Sequence, residues 1–146
     1  MVVEKKISIE ELINENKFIC ITTNGTVKKN GECVMGRGNA LTAKEIYPDL
    51  PKIIGDGIER LGNRVFWFEK YRLFTFPVKH NYYEKADMNL IKRSIDQLTG
   101  LMAYYEIEEK VYLPRPGCYN GKLNWNDVKK ELDQLPLPNN LIFIHI

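Results

Sequence analysis

Two glycine-rich loops, far apart in the chain, constrain its fold more than any other feature. Each follows a strand-like apolar run and each leads toward a helix-like segment. The first is Cys33-Val34-Met35-Gly36-Arg37-Gly38-Asn39-Ala40, downstream of Phe18-Ile19-Cys20-Ile21-Thr22-Thr23. The second is Pro114-Arg115-Pro116-Gly117-Cys118-Tyr119-Asn120-Gly121, downstream of Val111-Tyr112-Leu113. A glycine loop entering a helix presents backbone N–H groups that the helix leaves unpaired, with the positive end of the helix dipole behind them. One such loop is equally what an ordinary turn requires. Two together suit both halves of a diphosphate, which points to an anionic ligand of nucleotide size.

The rest of the chain alternates between strand and helix patterns. Ile7 to Ile13 reads as a short helix with Ser8 as N-cap and Glu11 completing a capping box. Phe18 to Thr23 is continuously apolar, as a strand buried on both faces should be. Asn24 to Gly38 is a long loop rich in Gly, Asn and Lys, and loops of that length in a compact domain are usually functional or disordered. Asn39 to Ile46 reads as a helix with Asn39 as its N-cap. A further helix over Pro51 to Leu61 is weakened by its glycines. Val65–Phe68 and Arg72–Pro77 predict an antiparallel pair of strands joined by a short polar turn. Asp87 to Tyr105 carries Leu90, Ile91, Ile95, Leu98, Leu101 and Met102 at helical spacing. Lys110–Leu113 predicts a strand, Asn124 or Asn126 caps another helix, and Leu141–Ile146 predicts a final strand. This alternation predicts an α/β layered domain with a mixed sheet. Both glycine loops then lie past the carboxyl ends of strands, where open α/β sheets bind ligands.

Composition narrows the function classes. A chain of 146 residues makes one domain over 1–146, long enough to need no staples for its core. A net charge of +2, with no Lys/Arg block, argues against a nucleic-acid groove, so phosphate recognition has to be local. No apolar run approaches a membrane span, and Met1 to Lys6 lacks an apolar signal core, so a cytoplasmic protein without membrane attachment is expected. Three cysteines without a C-x-x-C pair and two distant histidines make reduced thiols and no metal site the expectation.

Taken together, the motifs resemble the macrodomain family. The matching segments are Thr22-Thr23-Asn24, Val34-Met35-Gly36-Arg37-Gly38-Asn39-Ala40, Phe76-Pro77-Val78-Lys79, and Leu113-Pro114-Arg115-Pro116-Gly117-Cys118 through Leu123-Asn124-Trp125. They look most like the branch that contains the DNA ADP-ribosyl antitoxin and the terminal ADP-ribose glycohydrolase. The resemblance implies a three-layer α/β/α sandwich with a mixed central sheet. It also implies ADP-ribose binding and hydrolysis of an ADP-ribosyl conjugate, without a cofactor. Alternatives are a non-catalytic ADP-ribose-binding module and an ADP-ribose-1″-phosphate phosphatase. The partner is ADP-ribose or an ADP-ribosylated substrate, nucleic acid entering only as that substrate, and a monomer is expected. Two family features are missing. The early Asp that holds the adenine amino group has no counterpart near Lys6-Ile7-Ser8-Ile9, and Gly121 stands where the glycohydrolase has a catalytic Asp. Asn39 also replaces an apolar residue of the family pattern.

The resemblance and the residue chemistry together define candidate site residues. Thr23, Asn24, Val34, Met35, Gly36, Arg37, Gly38 and Asn39 form the first binding segment, and Pro114, Arg115, Gly117, Cys118, Tyr119, Asn120 and Gly121 the second. Gly36 and Gly38 either turn the loop into its helix or let a phosphate approach the backbone, and Gly117 and Gly121 carry the same pair of readings. Arg37 and Arg115 either pair with phosphate oxygens or are surface charges. Tyr119 and Asn120 close over the distal ribose and the diphosphate, and Cys118 serves through its backbone. Asn24 either makes an Asx-turn or, as the resemblance implies, bonds to the distal ribose or the group attached to it, where it is a catalytic candidate that positions the water attacking the anomeric carbon. Lys79 is either a solvated lysine or the group that attacks or positions the anomeric carbon, which requires a lowered pKa. His80 beside it is a candidate acid or base. Trp125 is expected to anchor its helix in the core.

Overall fold

The structure, a computed structural model, describes residues 1–146. Its elements run β1 (Glu4–Lys6), α1 (Ile9–Asn14), β2 (Phe18–Asn24), α2 (Gly38–Ile46), α3 (Leu50–Leu61), β3 (Trp67–Phe68), a 3-10 turn (Glu69–Tyr71), β4 (Leu73–Lys79), α4 (Met88–Tyr104), β5 (Val111–Pro114), α5 (Trp125–Leu132) and β6 (Leu141–His145). One six-stranded sheet has the order β1-β6-β5-β2-β4-β3. Every neighbouring pair is parallel except β3 with β4, so the sheet is mixed. The 65–77 segment is thus the expected antiparallel pair, with the polar turn wound into the 3-10 helix.

Alternating strand residues feed two cores. Cys20, Phe74, Phe76, Val78, Val111, Leu113, Leu141 and Phe143 meet Ile91, Ile95, Leu98 and Met102 of α4 and Val128 and Leu132 of α5. On the other face Ile19, Ile21, Leu73, Tyr112, Ile142 and Ile144 meet α1, α2 and α3 through Leu12, Ala43, Leu50 and Ile54. Strands apolar on both sides are what a sheet covered on both faces demands. The result is the three-layer α/β/α sandwich.

Local chemistry fixes the helix ends. Ser8 accepts from the Glu11 N–H at 3.1 Å, Asp87 from Asn89, and Asn124 from the N–H groups of Asn126 and Asp127. Trp125 packs against the α4–α5 core with its ring 5.9 Å from Phe143, as expected of an anchor. In α3 the glycines that weaken the helix allow contact: a Cβ at Gly55 would collide with the Gly31 carbonyl of the first loop. The expectation that Asn39 caps α2 is corrected. The helix begins at Gly38 after Arg37, with no side-chain cap. The Asn39 amide turns inward instead, accepting from the Thr22 N–H at 2.7 Å and donating to the Thr22 hydroxyl at 2.9 Å. The strand β1 was also unforeseen. Its exposed Glu-Lys-Lys residues carry no apolar alternation, and its pairing with β6 alone makes it a strand.

Candidate functional site

Connections from β2 and β5, neighbours at the centre of the sheet, leave in opposite directions. The chain leaves β2 through α2 and α3 on one face toward β4, and leaves β5 through α5 on the other face toward β6. Their ladder comprises only Phe18 with Val111 and Ile19 with Tyr112, although both strands run on. Beyond it Thr22 has no β5 partner, and Asn39 supplies the acceptor its N–H needs. Such a switch point leaves a crevice past the carboxyl ends of the strands.

That crevice is a cleft of about 1020 Å³ between the two glycine loops. The backbone N–H groups of Gly36, Arg37 and Gly38 on one side and of Gly117, Tyr119, Asn120 and Gly121 on the other donate to no protein acceptor. The loops nearly touch. Gly38 has φ +61°, and a Cβ there would lie 2.9 Å from the Asn120 amide nitrogen. A Cβ at Gly36, by contrast, would meet no protein atom within 4 Å, so this glycine leaves a bare backbone facing open space.

The cleft brings together Thr23, Asn24, Val34, Met35, Gly36, Arg37, Gly38, Asn39, Lys79, Pro114, Arg115, Gly117, Tyr119, Asn120 and Gly121. His80 and Cys118 do not line it. His80 turns away and lies 2.8 Å from the Asp87 carboxylate. That hydrogen bond holds the Asp87 carboxyl below its ordinary range. The Cys118 thiol donates to the Pro116 carbonyl at 3.4 Å and packs on the core. Burial pushes its pKa up to about 11 despite nearby Arg115, the opposite of an activated thiolate.

Side-chain partners separate the candidates further. Asn24 makes an Asx-turn, accepting from the Thr26 N–H at 3.0 Å, and also donates to the Val34 carbonyl at 3.0 Å, so it ties the end of β2 to the first loop. Arg115 donates twice to Glu4, at 2.8 and 3.2 Å, and lies 4.9 Å over the Trp125 ring. Arg37 is exposed and makes no ion pair or side-chain hydrogen bond. Lys79, half-buried at the end of β4, donates to the Tyr82 carbonyl at 3.2 Å. Burial, then the charges of Arg37 and Lys122, lower its pKa below the ordinary lysine value. The arrangement therefore offers two banks of backbone donors, cations from both loops, and one amine biased toward its neutral form.

Sequence reasoning missed part of the wall. Ser8, Ile9 and Glu10 also line the cleft, as do Tyr82, Tyr83, Glu84 and Lys85 of the segment that follows Lys79. The available signal was two adjacent tyrosines in an otherwise polar segment, and both are more than half exposed, at 53% and 73%. No helix is long and apolar enough to cross a membrane.

No family profile and no curated protein matches the sequence. Solved structures do match. The chain is similar to the macrodomain of Mycobacterium tuberculosis DarG, with TM-score 0.78 and 22% identity over 100% of this chain and 98% of that one. It is similar to the macrodomain of Thermus aquaticus DarG, with TM-score 0.74 and 22% identity over 100% and 98% of the two chains. A third similar structure is Thermosipho africanus DarTG in complex with ADP-ribose, with TM-score 0.71 and 17% identity over 92% of this chain and 40% of that one. The resemblance first seen in the loop motifs thus extends to the whole architecture, and this chain has the macrodomain fold.

Proposed function

We propose that this protein binds ADP-ribose across its two glycine loops and hydrolyses an ADP-ribosyl conjugate, acting as a cytoplasmic monomer without a metal or redox cofactor. The observation that carries the binding is the pair of facing loops whose backbone N–H groups have no protein acceptor. Oriented amides of this kind bind phosphate oxygens without side-chain charge. Thermosipho africanus DarTG, 40% of whose chain is matched by this one, is in complex with ADP-ribose, which supports the ligand's identity.

In the hydrolytic reading Lys79 supplies the nucleophile. Its neutral amine attacks the anomeric carbon of the distal ribose while the bond to the leaving group breaks. The leaving group takes up a proton, and water then releases ADP-ribose and restores the amine. Lys79 is suited to this because burial and two nearby cations favour the uncharged form. Loop amides hold the diphosphate so that the sugar meets the amine in a fixed pose. His80, engaged with Asp87, takes no part in this step.

A second reading, binding without turnover, is favoured by Gly121 and Asn24. Gly121 brings no carboxylate, and both polar atoms of the Asn24 amide already hold backbone partners.

Calorimetric titration with ADP-ribose, with AMP and ribose-5-phosphate as controls, tests the ligand. Micromolar binding, about 8 kcal/mol, with much weaker controls is the expected result. Equal affinity for AMP overturns the two-loop diphosphate site. Turnover that vanishes in Lys79→Ala while ADP-ribose affinity persists selects the enzyme over the binding module.

A further inference from the structure

We propose that Thr26 is the positioning residue for Lys79: its hydroxyl holds the Tyr82 backbone, whose carbonyl in turn fixes the Lys79 amine. The inference rests on the reading of Lys79 as the group that faces the anomeric carbon.

The exits of β2 and β4 lie side by side and are joined by two bonds that are not sheet rungs. The Gly25 N–H donates to the His80 carbonyl at 3.1 Å, and the Tyr82 N–H donates to the Thr26 hydroxyl at 3.0 Å. Gly25 is small because it must be: a Cβ there would sit 2.7 Å from the His80 carbonyl oxygen. Thr26 is itself fixed from below, its N–H donating to the Asn24 amide oxygen at 3.0 Å and its carbonyl accepting from Val34 at 3.1 Å. The peptide after Tyr82 thereby presents its carbonyl to Lys79 Nζ at 3.2 Å. One continuous chain of hydrogen bonds thus runs from Asn24 through Thr26 and Tyr82 to Lys79.

That chain matters chemically because a lysine stem has four rotatable carbons and no intrinsic aim. A neutral amine donating one N–H to a fixed carbonyl has its nitrogen held in place and its lone pair confined to the two remaining tetrahedral positions. Released, the amine swings into water and away from the groups around it. Those groups are Arg37 on the first loop and Lys122 just past the second. Lys85 and Glu84 of the 80–87 segment line the same cleft, while His80 is turned away and paired with Asp87. Glu84 is held by the Asn81 amide at 3.0 Å.

Trace acylation with acetic anhydride, read at Lys79 by peptide mass spectrometry across the lysine titration range, tests this on the full chain without any substrate. In Thr26→Val the freed amine leaves the cations that lower its pKa and moves toward ordinary lysine behaviour, so its labelling rate near neutral pH falls. Thr26→Ser, which keeps the hydroxyl, restores the rate, and ADP-ribose affinity is unchanged in both. Where turnover is measurable, kcat falls in Thr26→Val while KM holds. An unchanged Lys79 rate in Thr26→Val, or a loss that serine does not rescue, overturns the proposal. Should the valine variant fail to fold, hydrogen exchange in the unmodified protein decides: a protected Tyr82 amide supports the clasp, and one exchanging at the solvent rate overturns it. Absent turnover would defeat the hydrolase reading but would leave this labelling result standing.

Discussion

The two glycine loops have similar composition and face the same cleft, yet they are held in different ways. The first is fixed by amides: Asn24 bonds to Val34 and Thr26, and Asn39 bonds to Thr22. Its arginine, Arg37, is left exposed. The second is fixed by its arginine, which is bound to Glu4 and stacked on Trp125, while Gly121 packs against Gly117 and Ala86. Two G-containing loops with one arginine each look equivalent as strings. In the fold, one arginine remains available to a ligand and the other is a structural tie between β1 and α5.

Several substitutions sharpen or break that contrast. The largest effect is expected where both loops act on one group. Lys79→Ala should reduce turnover about 100-fold or more while leaving ADP-ribose affinity within a few-fold, as measured by steady-state kinetics beside calorimetry. If the protein turns over, kcat/KM of the unmodified chain should rise with pH as the amine loses its proton, at a midpoint below that of an ordinary lysine, because burial and the cations lower its pKa. A midpoint at or above the ordinary value would remove Lys79 from the mechanism. Next is the contact between the loops. Gly38→Val places a β-branched residue at φ +61° and drives its Cβ into Asn120. The loss of one hydrogen bond to a charged phosphate, about 2 kcal/mol, should weaken ADP-ribose binding about 30-fold.

The arginine pair tests the contrast directly. Arg37→Ala should weaken ADP-ribose about tenfold, about 1.4 kcal/mol, with the melting temperature unmoved. Arg115→Ala should do the reverse, lowering the melting temperature by roughly 2–4 °C for about 1 kcal/mol with affinity retained. Matching effects at both positions would abolish the distinction. The smallest effect lies outside the cleft. The His80 hydrogen bond depresses the folded-state pKa of Asp87, so its stabilisation is present above the ordinary carboxylate pKa and is lost as pH falls through the folded value. Asp87→Asn should therefore lower thermal stability at neutral pH, and the gap from the unmodified protein should close in acid. A gap that persists in acid would assign the loss to the α4 cap alone.

Much of this was legible in the sequence because it depends on local pattern. The continuous apolar strands, the periodic stripe of α4 and the loops past strand ends all arise from residues near one another in the chain. What failed depended on distant partners. Asn39 has the chemistry of an N-cap, but the Thr22 N–H, which no β5 residue reaches, is the stronger demand. Nothing near Arg115 in sequence announces Glu4, and His80 meets Asp87 only because the 80–87 segment folds back. The 82–85 wall went unread for a similar reason: its residues point into the cleft because Thr26 and Gly121 hold the segment there.

The short ladder between β2 and β5 carries a thermodynamic consequence. The sheet's centre is joined by two matched residue pairs, so one half (β2, β4 and β3, with the first loop) has few backbone rungs to the other (β5, β6 and β1, with the second), and the shared side-chain cores carry the rest of the join. A diphosphate gripped from both sides would act as an additional rung, and its binding energy would oppose opening of this seam. At a ligand concentration one hundred times Kd that resistance grows by about 2.7 kcal/mol. Amides bordering the seam should then exchange more slowly with ADP-ribose present, while those between β3 and β4 change less. Substrate and sheet would share the task of keeping the two halves of the molecule together.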